Sequence, residues 1–132
     1  MKILLGCILF LPILSLGQLR EFNFYIERKD SIVTLHLASM ETFPCLGYSI
    51  RTFEMWDHDT LVIDIRGFIK PLKCYSVVDV AKKSQRIIGL RSKQFALRIR
   101  WKEKEDRWLI DATTESVTTK EQSVSFTSWF RD

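Results

Sequence analysis

Histidine and cysteine are scarce in this chain, and their scarcity removes several kinds of chemistry at once. The two histidines, His36 and His58, lie in unrelated segments, and no Cys-x-x-Cys pair accompanies them, so a zinc site lacks its ligand set. No serine or cysteine sits in a strained-turn motif of the kind that marks a nucleophile. No spacing enforces a converging acid and base, and no motif calls for a cofactor. The chain also has no internal repeat, linker, low-complexity segment or long amphipathic helix. Its formal charge of +4 is too small an excess to argue for nucleic acid.

What is present begins with an export leader. Lys2 precedes an apolar stretch, Ile3 to Leu14, interrupted only by Gly6 and Pro12. Ser15-Leu16-Gly17 then places small residues at the −3 and −1 positions of a cleavage site before Gln18. The stretch falls short of the ~20 residues that span a bilayer, so residues 1–17 read as a signal peptide and no transmembrane segment is expected afterwards. Leu4-Leu5-Gly6-Cys7 resembles a lipobox, but Ile8 to Leu14 continue the apolar segment beyond Cys7, which disfavours lipidation there. A secreted, periplasmic or cell-envelope location is expected for residues 18–132, a single-domain length that can bury a real core.

Two cysteines survive cleavage. In an oxidising compartment Cys45 and Cys74 read as a disulfide.

Alternation with a period of two dominates the mature chain. Val33, Leu35 and Leu37 face one way, with Thr34 and His36 on the other side. The same pattern recurs at Tyr48 and Ile50, at Leu61, Ile63 and Ile65, at Phe95 to Trp101, and at Trp108, Ile110 and Ala112. Turn residues punctuate these runs at Arg28-Lys29-Asp30 and at Asp57-His58-Asp59. Gly67 and Pro71 end a strand, and Glu103 to Asp106 form a charged tip. Val78 to Ser84 is the one place for a helical turn. Seven or eight short strands predict an all-β domain, an immunoglobulin-like antiparallel sandwich with a small barrel as the alternative. Folding residues 94–102 onto 107–115 about the tip at 103–106 sets Trp101 opposite Trp108, Ile99 opposite Ile110 and Leu97 opposite Ala112. Arg98 then faces Asp111 and Lys102 faces Arg107.

Several landmarks form a spaced series: Phe43-Pro44-Cys45, Tyr48 and Ile50, Ile63-Asp64-Ile65-x-Gly67, Pro71 and Cys74, Ile88 and Leu90, then Phe95-x-Leu97-x-Ile99 and Trp108-Leu109-Ile110. Over residues 43–110 this frame resembles a group of short, uncharacterised secreted β-sandwich proteins of Gram-negative bacteria. The chain departs from it at Lys93-Gln94-Phe95, where such proteins often carry glycine before the strand. The resemblance implies fold and export, and it carries over no activity and no functional residue.

The candidate surfaces are few. Arg98, Arg100, Lys102 and Lys104 recur every second residue, with Arg107 beside them and Arg91 and Lys93 upstream. A row of like charges about 6.5–7 Å apart either waits for an anionic partner or is answered by nearby Glu103, Glu105, Asp106 and Asp111. Trp56 at a hairpin tip and Trp129 near the C-terminus are candidate platforms for sugar or protein, whereas Trp101 and Trp108 read as core. Asp57-His58-Asp59 is a turn rather than a metal site, and His36 is a surface or cross-strand histidine. The expected function is a non-enzymatic binding or adhesion module for an anionic glycan, a lipid surface or a protein. The alternative is an inhibitor or envelope accessory protein that docks through the loop from Phe68 to Ser84, tied by Cys74.

Overall fold

The alternating runs of the sequence become strands, and their apolar phase becomes a shared interior. The computed structural model describes residues 20–130, so the leader, its cleavage site and Cys7 lie outside the described residues. The strands are β1 (Phe22–Lys29), β2 (Ile32–Phe43), β3 (Ser49–Asp57), β4 (Thr60–Ile69), β5 (Asp79–Arg86), β6 (Gln94–Trp101), β7 (Lys104–Asp111), β8 (Thr118–Ser123) and β9 (Thr127–Trp129). Among the described residues no helix is long and apolar enough to cross a membrane.

All nine strands belong to one sheet in the order β8-β7-β6-β4-β3-β5-β2-β1-β9, which curls into a nearly closed barrel. The domain is therefore all-β and takes the barrel alternative, not two separate sheets. The curl has a weak line, because β3 and β5 are joined by a single paired position, Ser49 with Lys82. Beyond it the two strands diverge, and Lys83 fills the gap by pairing with Glu54 at 3.7 Å and donating to the Thr52 hydroxyl. The sheet's open side lies between its edge strands β8 and β9, and side chains bridge it. Arg28 at the end of β1 donates to the Ala112 and Thr113 carbonyls.

The core draws on every major strand: Phe22, Phe24 and Ile26, Val33, Leu35 and Leu37, Leu61, Ile63 and Ile65, Phe95, Leu97 and Ile99, Trp108 and Ile110. Each fully buried side chain of this size contributes about 1.5–3 kcal/mol. Aromatic edges lock the start of β1 across the core to β6 and β7, with Phe22 against Trp101 at 5.3 Å and Phe24 against Trp108 at 5.0 Å.

Two sequence expectations are corrected here. Residues 79–86 form strand β5 and make no helical turn. Ala81 is the one fully buried residue of the run, and apart from Val80 the others are polar, so the apolar alternation was too thin to read. The β6–β7 hairpin also closes earlier than expected. Lys102 and Glu103 alone make the turn, with Lys102 at a φ of 58°. The pairs are Trp101 with Lys104, Arg100 with Glu105, Ile99 with Asp106, Arg98 with Arg107, Leu97 with Trp108 and Phe95 with Ile110. Asp111 lies opposite Gln94, not Arg98. The displacement is four residues along the partner strand, an even number, so every side chain keeps its face and the apolar column survives. The same two-residue turn closes β1–β2 at Asp30 and β3–β4 at His58, both also at positive φ. That shared geometry matches the right-handed twist of the strands.

Candidate contact surfaces

The basic row is shorter than its spacing suggests. Arg98 and Arg100 on β6 and Arg107 on β7 do share the outer face of the sheet. Lys102 sits in the turn, where its ammonium lies 5.0 Å from the Trp101 ring. Lys104 pairs with Trp101, so it has the inward phase, and it closes on Glu21 at 2.6 Å. Glu105 stands among the three arginines. It accepts from Arg100 Nε at 2.9 Å and Arg107 Nη2 at 2.9 Å, with Arg98 Nε at 3.7 Å. Asp57 lies 4.0 Å from the far side of Arg98, and Asp64 answers Arg66 at 2.9 Å. Partial burial works to raise the Glu105 carboxyl, but the hydrogen bonds from Arg100 and Arg107 and the charge of Arg98 hold it below its ordinary value. The face is a mosaic of both signs whose cations are already partnered.

Trp56 is half-buried and held in place. Its indole N–H donates to the Ile88 carbonyl at 2.8 Å and its ring meets Phe95 edge-on at 5.9 Å. Gly89, at a φ of 82°, lies so close that a β-carbon there would stand 3.3 Å from the indole nitrogen. Trp56 thus forms one wall of a cleft of about 470 Å³, shared with His58, Asp59, Arg91, Gln94 and Phe95. Trp129 packs edge-on against Phe24 at 5.4 Å and serves as an anchor of β9. His58 occupies the turn and hydrogen-bonds Asp57 at 2.9 Å.

His36 lies in a cross-strand row on the outer face of β1, β2 and β5. It stacks on Tyr25 at 4.4 Å, meets the Ser84 hydroxyl at 2.7 Å through Nδ1 and reaches Glu27 at 3.4 Å through Nε2. The order serine, histidine, carboxylate resembles a hydrolytic triad. His36 and Ser84 line a cleft of about 530 Å³ with Tyr25, Lys82 and Phe130, but the backbone N–H groups of β2 beside them are engaged in strand pairing and form no oxyanion hole.

The loop between β4 and β5 differs in kind from these surfaces. Cys45 and Cys74 are disulfide-bonded with their Cα atoms 5.0 Å apart. The Leu46 N–H also donates to the Tyr75 carbonyl at 3.1 Å, and Pro71 packs on Gly47. So the segment 70–78 is tied to the β2–β3 connection at several points. Yet its apolar side chains face water: Leu72 is fully exposed, Tyr75 60%, Val77 51% and Val78 69%, with Leu46 beside them at 44%. The sequence points to this loop but gives none of these residues a contact role, and it reads Val78 as the start of a helical turn. Their signal was negative, since apolar residues in a run without alternation have no core face to join.

The same end of the barrel gathers further elements. β4 and β6 run parallel, Ile65 beside Trp101, so the Lys102–Glu103 turn emerges at the same end of the barrel, level with Arg66 and Gly67 and about 10 Å along β4 before the loop begins. Phe22 stacks on Phe68 at 6.1 Å, which brings the start of β1 to this end as well. The Trp56 cleft lies at the opposite end, about 30 Å away along the ten residues of β4.

Comparison with family models, with curated proteins and with solved structures finds no match to this chain.

Proposed function

We propose that the chain is an exported, non-enzymatic binding module that docks through the disulfide-clamped loop end of its barrel. The observation that carries this reading is Leu72, wholly in water on a segment held by Cys45–Cys74 and by the Leu46–Tyr75 bridge. A cluster of exposed apolar side chains on a monomeric domain marks a contact surface. A loop already fixed in place loses little conformational freedom when it is covered. The basic face is the weaker candidate, because Glu105, Asp57 and Asp64 already answer its arginines.

The test compares two double variants. With Leu72→Asp and Val78→Asp, retention of cell-envelope material on the immobilised protein drops at least tenfold. With Arg98→Glu and Arg100→Glu, it stays unchanged. The reverse pattern would return the site to the arginine face.

A further inference from the structure

We infer that the surface this end docks on is the headgroup layer of an anionic lipid bilayer; the inference rests on the loop-end reading. Three features of the end point there. First, its apolar groups project outward. Leu72, Tyr75, Val77 and Val78 are half or more exposed and lie outside the four main clefts among the described residues, so they project from the surface. Second, the apolar residues are interleaved with lysines. Segment 70–78 carries Lys70 and Lys73 and no acidic residue, and Lys102 stands on the turn at the same end. Among the described residues none of these three lysines lies within ion-pair distance of a carboxylate, whereas Lys104 beside them is taken by Glu21. The acidic groups of this end are Glu21, Glu41, Asp79 and Glu103; Asp79 directly follows the segment, paired with Phe43 and accepting from the Val80 N–H, Glu21 is taken by Lys104, and none lies within 70–78.

Third, the mixture itself discriminates between partners. Lysine is depleted from the cores of protein interfaces, where its ammonium would have to be desolvated. In a headgroup layer the same side chain lays its stem along the apolar boundary and leaves its charge among phosphates. Tyrosine suits that boundary too, with an apolar ring and a polar tip. The chain enters the domain at this end, at Arg20.

The experiment is vesicle sedimentation of the exported, oxidised protein with phosphatidylcholine vesicles, with and without phosphatidylglycerol. Any retained leader would itself enter a bilayer, so the reading is the difference between variants and wild type. We expect binding that requires phosphatidylglycerol, weakens with salt, and falls about fivefold for each of Lys70→Gln, Lys73→Gln and Lys102→Gln. Leu72→Asp should reduce it at least tenfold, with an unchanged far-ultraviolet spectrum. A Leu72→Trp variant adds a local readout, an emission that shifts to the blue on vesicles and is quenched by brominated lipid. An emission that stays at the water-exposed position in both vesicle types overturns the lipid inference. If Leu72→Asp and Val78→Asp still abolish retention of envelope material in that case, loop-end docking stands and the partner is a protein. Vesicle binding that survives Leu72→Asp but is lost with Arg98→Glu and Arg100→Glu overturns both.

Discussion

Thr127 gives both its backbone N–H and its hydroxyl to one oxygen of Asp106, at 2.7 and 2.6 Å. The other Asp106 oxygen takes the Ser125 N–H and hydroxyl, and Phe126 N–H joins Thr127 on the first. Trp108 then donates its indole N–H to the same Thr127 hydroxyl at 2.9 Å. A wholly buried carboxylate on β7 thereby organises the turn into β9, which itself pairs with β1. That is how the far side of the barrel is fastened without a continuous ladder. Removing the side chain strands two buried N–H groups, of Phe126 and Thr127, and the part-buried one of Ser125. We predict that Asp106→Ala costs about 3–5 kcal/mol and Asp106→Asn roughly half of that, since the amide keeps one acceptor. Thermal unfolding checks it, with a drop on the order of 15 °C or more expected for Asp106→Ala.

The four-residue displacement of the β6–β7 hairpin follows from the same residue. If Asp106 were part of the tip, this acceptor would lie in solvent and the turn before β9 would have no partner. The observed register makes Leu97 and Trp108 direct cross-strand neighbours and sets Trp101 about 13 Å further along. A double-mutant cycle separates the two registers. Leu97→Ala and Trp108→Ala should couple by about 0.5–1 kcal/mol, while Trp101→Ala and Trp108→Ala add independently.

Much of this fold was legible because apolar alternation depends only on which face a residue takes. Val33, Leu35 and Leu37, or Phe95, Leu97 and Ile99, need no partner to declare themselves, and the Cys45–Cys74 bond follows from an even pair. What escaped depends on partners far along the chain. Asp106 looked like one more charged tip residue, because the hydroxyls and amides that receive it lie at 125–127. β5 carries charge on both phases, since Lys83 turns inward only to close the gap beside Glu54. That Glu105 could answer the arginine row was legible from its nearness in sequence; that Asp57 reaches Arg98 from β3 was not. Leu72 could be seen as exposed only once every core face had been filled by others.

Glu105 makes the acid side of the stability curve specific. Its folded value lies below the ordinary carboxylate range, so the native state binds its proton less readily than the unfolded chain. The resulting stabilisation is fully present above the unfolded value, about 4.3, and is lost as pH falls through the lower folded value. Glu105→Gln should therefore be less stable than wild type at pH 7, by about 1 kcal/mol or less for a partly exposed network. The two should converge as pH falls through the lowered folded value of Glu105. Urea midpoints measured across that range test it, and a difference that stays constant with pH would assign the effect to packing.

Gly89 tests the cleft end. Any β-carbon there meets the Trp56 indole at 3.3 Å, and the residue already sits at a φ of 82°, where side chains are strained. Gly89→Ala should destabilise by about 1–2 kcal/mol. It should also push the indole off the Ile88 carbonyl, which a red shift in tryptophan emission would show. Trp56→Phe keeps the ring's packing but drops the hydrogen bond, so its cost should be nearer 1 kcal/mol. Equal losses in both variants would mean that the bond, not the ring position, holds this end.

The clamp itself makes the last prediction. Cys45 is buried while Cys74 sits in an exposed loop, so replacing both by alanine opens little space in the core. The main loss is then the constraint on the unfolded chain, about 3–4 kcal/mol for a closed loop of this length. Loop closure and global stability are separable by hydrogen exchange. In the Cys45→Ala, Cys74→Ala variant the Leu46 amide, which donates to Tyr75, should exchange far faster relative to global unfolding than it does in wild type. Amides of β6, paired on both sides by β4 and β7, should slow or quicken only with the overall stability. If Leu46 instead tracks β6, the 70–78 segment is held by Pro71 and the backbone bridge alone. The disulfide would then matter to stability and not to the rigidity of the docking loop.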